Sequence, residues 1–574
     1  MSGAASAVLS TTVAGAVVAL LESLGVRRAY GLTGGPIAPF CDALGRSTRI
    51  RTLHCRHESG AAFAALEDSL ASGELCAVFV TTGPGITNAL TGICAARSDG
   101  GRVLLISAST SARETGRGAF QETSPVTLPV EGIFRAGPIF HSAFRLDEPA
   151  QLPAIAAEIA LGLARPQGWV GHLTIPIGAQ TELCAPAFAR VVSCRHDCDP
   201  ALIDASVARL DRREFAIWAG FGARGASAEL AELAARTGAA VMCSPRAKGV
   251  FPEDHPQYLG VTGFGGHERV KEYLFEARPE RILVLGSRLG EFTSFWDLDF
   301  VPSGGFVHVD LDPCAAGAAY PEAETLSVSA EIGSFLRALL GRLSPRVGSP
   351  AWTRHADAHP LELRARGPVR PAALMAAVQR AIVDASDAIV LCEAGNAFAW
   401  GTHALSFRTA GRYRTSTLWG AMGHASCGVI GATLARGTPG VALVGDGAML
   451  MQTEISTAVQ YGIPAVWIVL NDGLYGMIEQ GMRAQGLRPL ETKLPATDFA
   501  AHARALGAQG VRVEHEPELD AALAGIAAPA RTRPIVVDVR IDPAEPAPFL
   551  RRVQSLVRQT SHADPSHSHM EVEA

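Results

Sequence analysis

Charge is scarce in this sequence. Asp, Glu, Lys and Arg make up 18% of the 574 residues and nearly cancel, leaving a formal net charge of −6. With no basic run or basic face, a nucleic-acid partner is not expected. No stretch of about 18 uncharged apolar residues occurs either, so no membrane span is expected. The opening MSGAASAVLSTTVAGAVVALLESLGV lacks the positive start of a secretory leader, and Glu22 interrupts its apolar run. Val13, Val17, Leu20 and Leu21 recur at helical spacing instead, predicting an amphipathic first helix and, by default, a cytoplasmic protein. A disulfide framework is also missing. The 11 cysteines are odd in number and sit in apolar segments, as reduced thiols do. Cys194, His196 and Cys198 look like metal ligands, but no second pair stands nearby and no metal site is expected there.

Apolar residues are plentiful, at 48%. They gather into short runs that end in Gly or small polar residues: CAVFVTTG (76–83), RVLLISAS (102–109), RILVLGSR (281–288), AIVLCEAG (388–395), VALVGDG (441–447) and AVWIVLND (465–472). Continuous apolar strands alternating with helix-like segments are the pattern of buried parallel sheets. The expected fold class is α/β, with three doubly wound parallel-sheet domains and ligands beyond the carboxyl ends of strands. Irregular stretches around 180–200 and 344–371 read as connectors. They divide the chain into domains at 1–180, 181–345 and 370–550, followed by a polar tail at 551–574.

The strongest chemical signal lies in the last third. VALVGDGAML ends an apolar strand at Gly445, Asp446 and Gly447, and AVWIVL ends at Asn471, Asp472 and Gly473. Acidic or amide side chains at two neighbouring strand tips make an oxygen-rich pocket suited to Mg²⁺. The helix start after Gly447, with Ala448, offers free N–H groups to a phosphate, and the glycines permit close backbone approach. A lone GDG reads as a tight turn, but GDG followed by a helix, a strand and NDG is far more specific.

The pair resembles the thiamin-diphosphate motif, and the whole chain resembles the acetolactate synthase branch of that enzyme superfamily. The resemblance implies a pyrimidine-binding first domain, a central domain and a diphosphate-binding last domain. It implies Mg²⁺ held by Asp446, Asp472 and the backbone carbonyl of Leu474, with Asn471 as the alternative to Asp472. IRTLHCRHESGAAFAALE resembles the family's RHE segment and makes Glu58 the catalytic acid, hydrogen-bonded to the cofactor's aminopyrimidine. YGLTGGPIAPFCDAL resembles the family's glycine loop, here Gly34, Gly35 and Pro36. TTGPGITNALTGI brings Thr82 and Asn88 near the pyrimidine, and GAFQETSP puts Phe120 and the catalytic candidate Gln121 near the substrate. CEAGNAFAW supplies Gly395, Asn396 and Ala397 for the diphosphate, while LWGAMGHASCGVIGA supplies Gly420 and Met422, the latter wedging the cofactor into its V shape.

The middle third diverges more. Acetolactate synthases of the biosynthetic type carry FAD there, but Ser287, Leu289 and Gly290 depart from the matching pattern, so flavin is not expected. The resemblance implies a reaction on a 2-oxo acid, pyruvate first. Related decarboxylases protonate the intermediate with a paired His motif and a loop Asp. Thr33, Gly34, Gly35 and Pro36 contain no ionisable side chain, and His54 and His57 are not consecutive. Carboligation is therefore expected, the acyl-anion unit passing to an acceptor carbonyl. Arg246, Lys248 and Arg288 are candidates for holding an acceptor carboxylate. A decarboxylase or a flavin-dependent oxidase on the same scaffold, and a non-catalytic relative, are the alternatives. A homodimer or homotetramer with sites between subunits is implied.

Overall fold

The computed structural model describes residues 10–124, 131–191, 196–344, 361–451 and 454–560. The first helix, α1 (Val13–Ser23), is capped by the Thr12 hydroxyl, which accepts the Gly15 N–H, and buries Val13, Val17, Leu20 and Leu21. Beyond it stand three six-stranded sheets in which every pairing is parallel.

The first sheet contains β1 (Arg28–Gly31), β2 (Arg51–His54), β3 (Cys76–Val80), β4 (Arg102–Ser109), β5 (Ser142–Arg145) and β6 (Trp169–Pro176), in the order β2-β1-β3-β4-β6-β5. The central sheet contains β7 (Phe215–Ala219), β8 (Val241–Cys243), β9 (Tyr258–Val261), β10 (Arg281–Leu285), β11 (Phe306–Asp310) and β12 (Thr325–Ser329), in the dinucleotide-type order β9-β8-β7-β10-β11-β12. The third contains β13 (Val390–Cys392), β14 (Tyr413–Arg414), β15 (Val441–Gly445), β16 (Val466–Asn471), β17 (Gln509–Val513) and β18 (Ile535–Arg540), in the order β14-β13-β15-β16-β18-β17. The two outer sheets therefore share one wiring. Their inner strands are apolar because helices cover both faces: every residue of β3 and β6 is buried.

The outer domains meet through helices. α2 (Glu58–Ser72) packs beside α3 (Pro84–Asp99) and against the last domain's α5 (His424–Arg436), while α4 (Asn396–Ala404) follows β13. Small residues permit the approach: a Cβ at Gly431 would collide with the carbonyl oxygen of Ala64, and one at Gly428 would lie 2.7 Å from Glu67. The polar tail read at 551–574 begins differently. Leu550–Thr560 forms α6, with Val553 buried beside Phe549 and Ala547, and its Arg551 and Arg552 pair with Glu268 and Glu291 of the central domain. Composition alone made it look polar, because five Arg and Gln side chains flank a narrow apolar stripe. Residues 561–574 lie outside the described residues, as does Cys194. Among the described residues no helix is long and apolar enough to cross a membrane.

Candidate active site

Four loops of the first domain meet at the carboxyl ends of its strands. Glu58 opens α2 behind the N-cap His57 and is 8% exposed. Its Oε2 accepts a hydrogen bond from Asn88 Nδ2 at 3.1 Å. The Thr82 hydroxyl donates to Gln121 Oε1 at 3.2 Å, and the Gly83 N–H donates to Thr123 Oγ1 at 2.6 Å. Gln121 holds a left-handed backbone (φ 53), strain of a kind that concentrates at functional sites. Phe120 beside it is 89% exposed. In the glycine loop, Gly34 is required sterically: a Cβ there would lie 2.6 Å from the Thr81 hydroxyl. Thr33 N–H donates to His54 Nε2 at 3.1 Å, tying the loop to β2. Sequence reasoning missed Glu454, whose carboxylate accepts the Arg56 and His57 amides from across the domain boundary and so sets the backbone entering Glu58. A single Glu in a helix-like segment carries no signal for that.

The equivalent loops of the last domain enclose a cavity of about 340 Å³. It gathers Gly395, Asn396, Ala397, Gly420, Met422, Gly445, Asp446, Gly447, Ala448, Asp472 and Leu474, each singled out from sequence. Tyr475 and Gln480, which were not, also line it. Asn471 does not: its amide nitrogen donates to Asp538 Oδ1 (2.8 Å) and the Thr497 carbonyl (2.9 Å). Nor does Glu58, Asn88 or Gln121. No described residue of the first domain lines this cavity, so one chain holds the two groups apart.

The donors suit a cation and a diphosphate. Asp446 accepts the Gly447 and Gly473 amides, both at 2.7 Å. Burial pushes its carboxyl up to about 6. Burial, and then the neighbouring Asp446 charge, push Asp472 up to about 7. Two neighbouring carboxylates with no Lys or Arg among the described residues of the cavity wall are the setting a hard cation would relieve. Gly395 (φ 113) starts α4 with free amides toward the cavity, and the Asn396 side-chain oxygen is buried without a protein partner. A Cβ at Gly447 would lie 2.6 Å from the Tyr475 ring, so only glycine lets backbone and ring close in here.

The basic candidates lie elsewhere. Lys248 is buried against Glu253 at 2.8 Å, because a buried ammonium needs a carboxylate beside it. Arg246 pairs with Asp99 (3.2 Å) and Arg288 with Asp312 (3.4 Å), and both open on a separate crevice of about 400 Å³ at the carboxyl edge of the central sheet. None of the three reaches the cavity of the last domain.

Two parallel-sheet domains of one wiring, with a buried carboxyl group at the strand ends of the first and an acidic, glycine-lined cavity at those of the last, fit the thiamin-diphosphate class of enzyme. Models of the thiamine pyrophosphate enzyme domains match in order: the N-terminal TPP binding domain at 11–128, the central domain at 206–339 and the C-terminal TPP binding domain at 393–539. A putative acetolactate synthase large subunit of Mycobacterium tuberculosis is 30% identical over 559 residues, covering 93% of this chain and 98% of that protein. A putative thiamine pyrophosphate-containing protein of Bacillus subtilis is 29% identical over 553 residues (93% and 92%). A probable 2-ketoarginine decarboxylase of Pseudomonas aeruginosa is 30% identical over 515 residues (86% and 88%). The chain belongs to the thiamine pyrophosphate enzyme family.

Proposed function

We propose that this protein is a carboligase similar to acetolactate synthase, which decarboxylates a 2-oxo acid, pyruvate first, and transfers the acyl-anion unit to an acceptor carbonyl. The observation that carries the reading is the cavity of the last domain, which collects the diphosphate and metal candidates while Glu58 stands on a separate half-site. Bound thiamin diphosphate would supply the carbon nucleophile and the electron sink for the departing carboxylate. Asp446, Asp472 and the Leu474 carbonyl would hold Mg²⁺, Asn471 being engaged with Asp538. Gly395, Asn396, Ala397, Gly445, Gly447 and Ala448 would hold the diphosphate, and Gly420 and Met422 the pyrimidine side. Asn88 occupies one oxygen of Glu58 and leaves the other to exchange a proton with a pyrimidine nitrogen. Thr82 orients the Gln121 amide toward substrate. Separation of the half-sites supports a homodimer or homotetramer in which two copies complete each other's sites. The compartment is the cytoplasm, and flavin stays outside the proposal because Ser287, Leu289 and Gly290 depart from the flavin pattern.

Bond formation rather than protonation is favoured by a loop, Thr33–Pro36, with no acid in it. His54 next to that loop spends Nε2 on the Thr33 amide. Among the described residues the cavity wall carries Asp542, paired with Arg364, and Glu545 but no Lys or Arg, which favours an uncharged aldehyde or ketone acceptor over a second oxo acid. The same lining, with the likeness to the P. aeruginosa protein, favours a second reading: simple decarboxylation of a 2-oxo acid with a cationic side chain. The test is incubation with pyruvate and other 2-oxo acids, with and without carbonyl acceptors, read by mass spectrometry. A new carbon–carbon product supports carboligation. Aldehyde alone, with every acceptor, supports the second reading, and flavin absorbance in the purified protein contradicts the flavin-free proposal.

A further inference from the structure

Where α2 meets α5, a small cavity of about 10 Å³ is lined by residues that include Glu67, Glu393, Arg414, Ser416, Gly420 and His424. That is roughly the room one water molecule needs. Glu67 belongs to the helix that begins at Glu58, and His424 opens the helix that follows the Gly420–Met422 turn. His424 Nε2 and Glu67 Oε1 are 2.8 Å apart, with the imidazole stacked on Phe63 at 5.2 Å between centroids. Arg414 donates Nη2 to the Leu70 carbonyl, while its Nε stands 3.8 Å from Glu67 Oε2, too far for a hydrogen bond. Glu393 accepts the Ala394 and Ser426 amides. Four buried polar atoms remain without a protein partner on these lining residues: Glu67 Oε2, His424 Nδ1, Arg414 Nε and Arg414 Nη1. Buried polar groups are rarely left so, and a cluster of them around a water-sized space points to its occupant.

We propose that this cavity is a built site for one water molecule joining Arg414 and Glu67, and that His424, hydrogen-bonded to the same carboxylate, is a positioning residue for the Gly420–Met422 turn. Water matches the donor set. It accepts from Arg414 and donates to Glu67 Oε2. An anion would face Glu67 and Glu393, and a metal ion would face Arg414. Burial disfavours an imidazolium, yet the Glu67 hydrogen bond and charge outweigh it and hold His424 above the ordinary histidine range. The turn needs such an anchor because glycines at both its ends, Gly420 (φ 58) and Gly423 (φ 96), give it little stiffness of its own. His424 thus locks the cofactor-facing turn of one domain to the Glu58 helix of the other. The positioning role rests on the reading of Gly420 and Met422 given above.

The test uses the holoenzyme with thiamin diphosphate and Mg²⁺. A crystal structure at about 1.8 Å or better is expected to show one density peak within hydrogen-bonding reach of Arg414 and Glu67. His424→Phe keeps the ring on Phe63 but removes both nitrogens. It is expected to weaken thiamin diphosphate binding roughly tenfold or more in a fluorescence titration and to alter the near-UV circular dichroism of bound cofactor, with Mg²⁺ dependence unchanged. His424→Gln, which can still donate to Glu67, is expected to recover part of the affinity, and it serves alone if the Phe variant does not fold. An empty cavity, or parental affinity and spectrum in the variants, overturns the proposal. A parent that fails to bind thiamin diphosphate removes the reading of Gly420 and Met422, and with it the positioning role; the water is then decided by the density.

Discussion

Chelating divalent cations and then raising the pH is expected to loosen the last domain. Asp446 and Asp472 stand together at the tips of β15 and β16, lifted from 3.8 to about 6 and about 7. A carboxyl group whose pKa is higher folded than unfolded binds more protons when folded. Its contribution is therefore favourable at low pH and turns against folding as pH climbs toward the folded value. For Asp446, buried to 3% exposure, a rise of roughly two units corresponds to roughly 3 kcal/mol, developed between about pH 4 and pH 6. Asp472 carries the window to about pH 7, though part of its rise is the Asp446 charge, so the two do not simply add. Mg²⁺ held by this pair, as proposed, would offset the repulsion and the desolvation of the ionised carboxylates. The assay is the thermal unfolding midpoint across that pH range, with chelator and with Mg²⁺. The chelated curve is expected to fall with pH while the Mg²⁺ curve stays flat, and Asp446→Asn or Asp472→Asn should shallow the first and narrow the gap. Chelated and loaded curves that superpose at every pH would refute the assignment of this pair as a cation site.

Glu58→Gln should lower kcat by about 10²–10⁴ while cofactor affinity, read by titration, changes little. Asn471→Ala should cost about 1–3 kcal/mol in denaturant unfolding by removing the amide that Asp538 Oδ1 accepts, yet leave the Mg²⁺ requirement intact; a lost Mg²⁺ requirement would return Asn471 to the metal. Co-expressing Glu58→Gln with Asp446→Ala should restore activity to roughly a quarter of the parental sites, because only mixed dimers assemble an undamaged one. Two inactive singles giving an inactive mixture would mean that each chain builds its site alone.

The sheets were legible because strands buried on both faces are written as unbroken apolar runs, and the glycine-flanked acids at their ends pointed to the loops that line one cavity. Which of Asn471 and Asp472 faces the cavity was not, since adjacent strand residues point to opposite faces and the sequence does not say which face is covered. Lys248 read as an available cation in SPRAKGVFP, and only folding showed Glu253 turned back onto it. The His424–Glu67 contact joins residues far apart in the chain, so no local pattern could reveal it. Arg551 and Arg552 sit in a segment whose composition reads as polar tail, although both dock on the central domain.

The shared strand order of the two outer sheets has a consequence for how the chemistry is divided. Corresponding loops on twin scaffolds can specialise separately: in the function proposed above, one set would carry the proton-handling carboxyl and the other would grip a charged tail through backbone and metal. A substitution that sharpens one task need not compromise the other, because no strand tip is asked to do both.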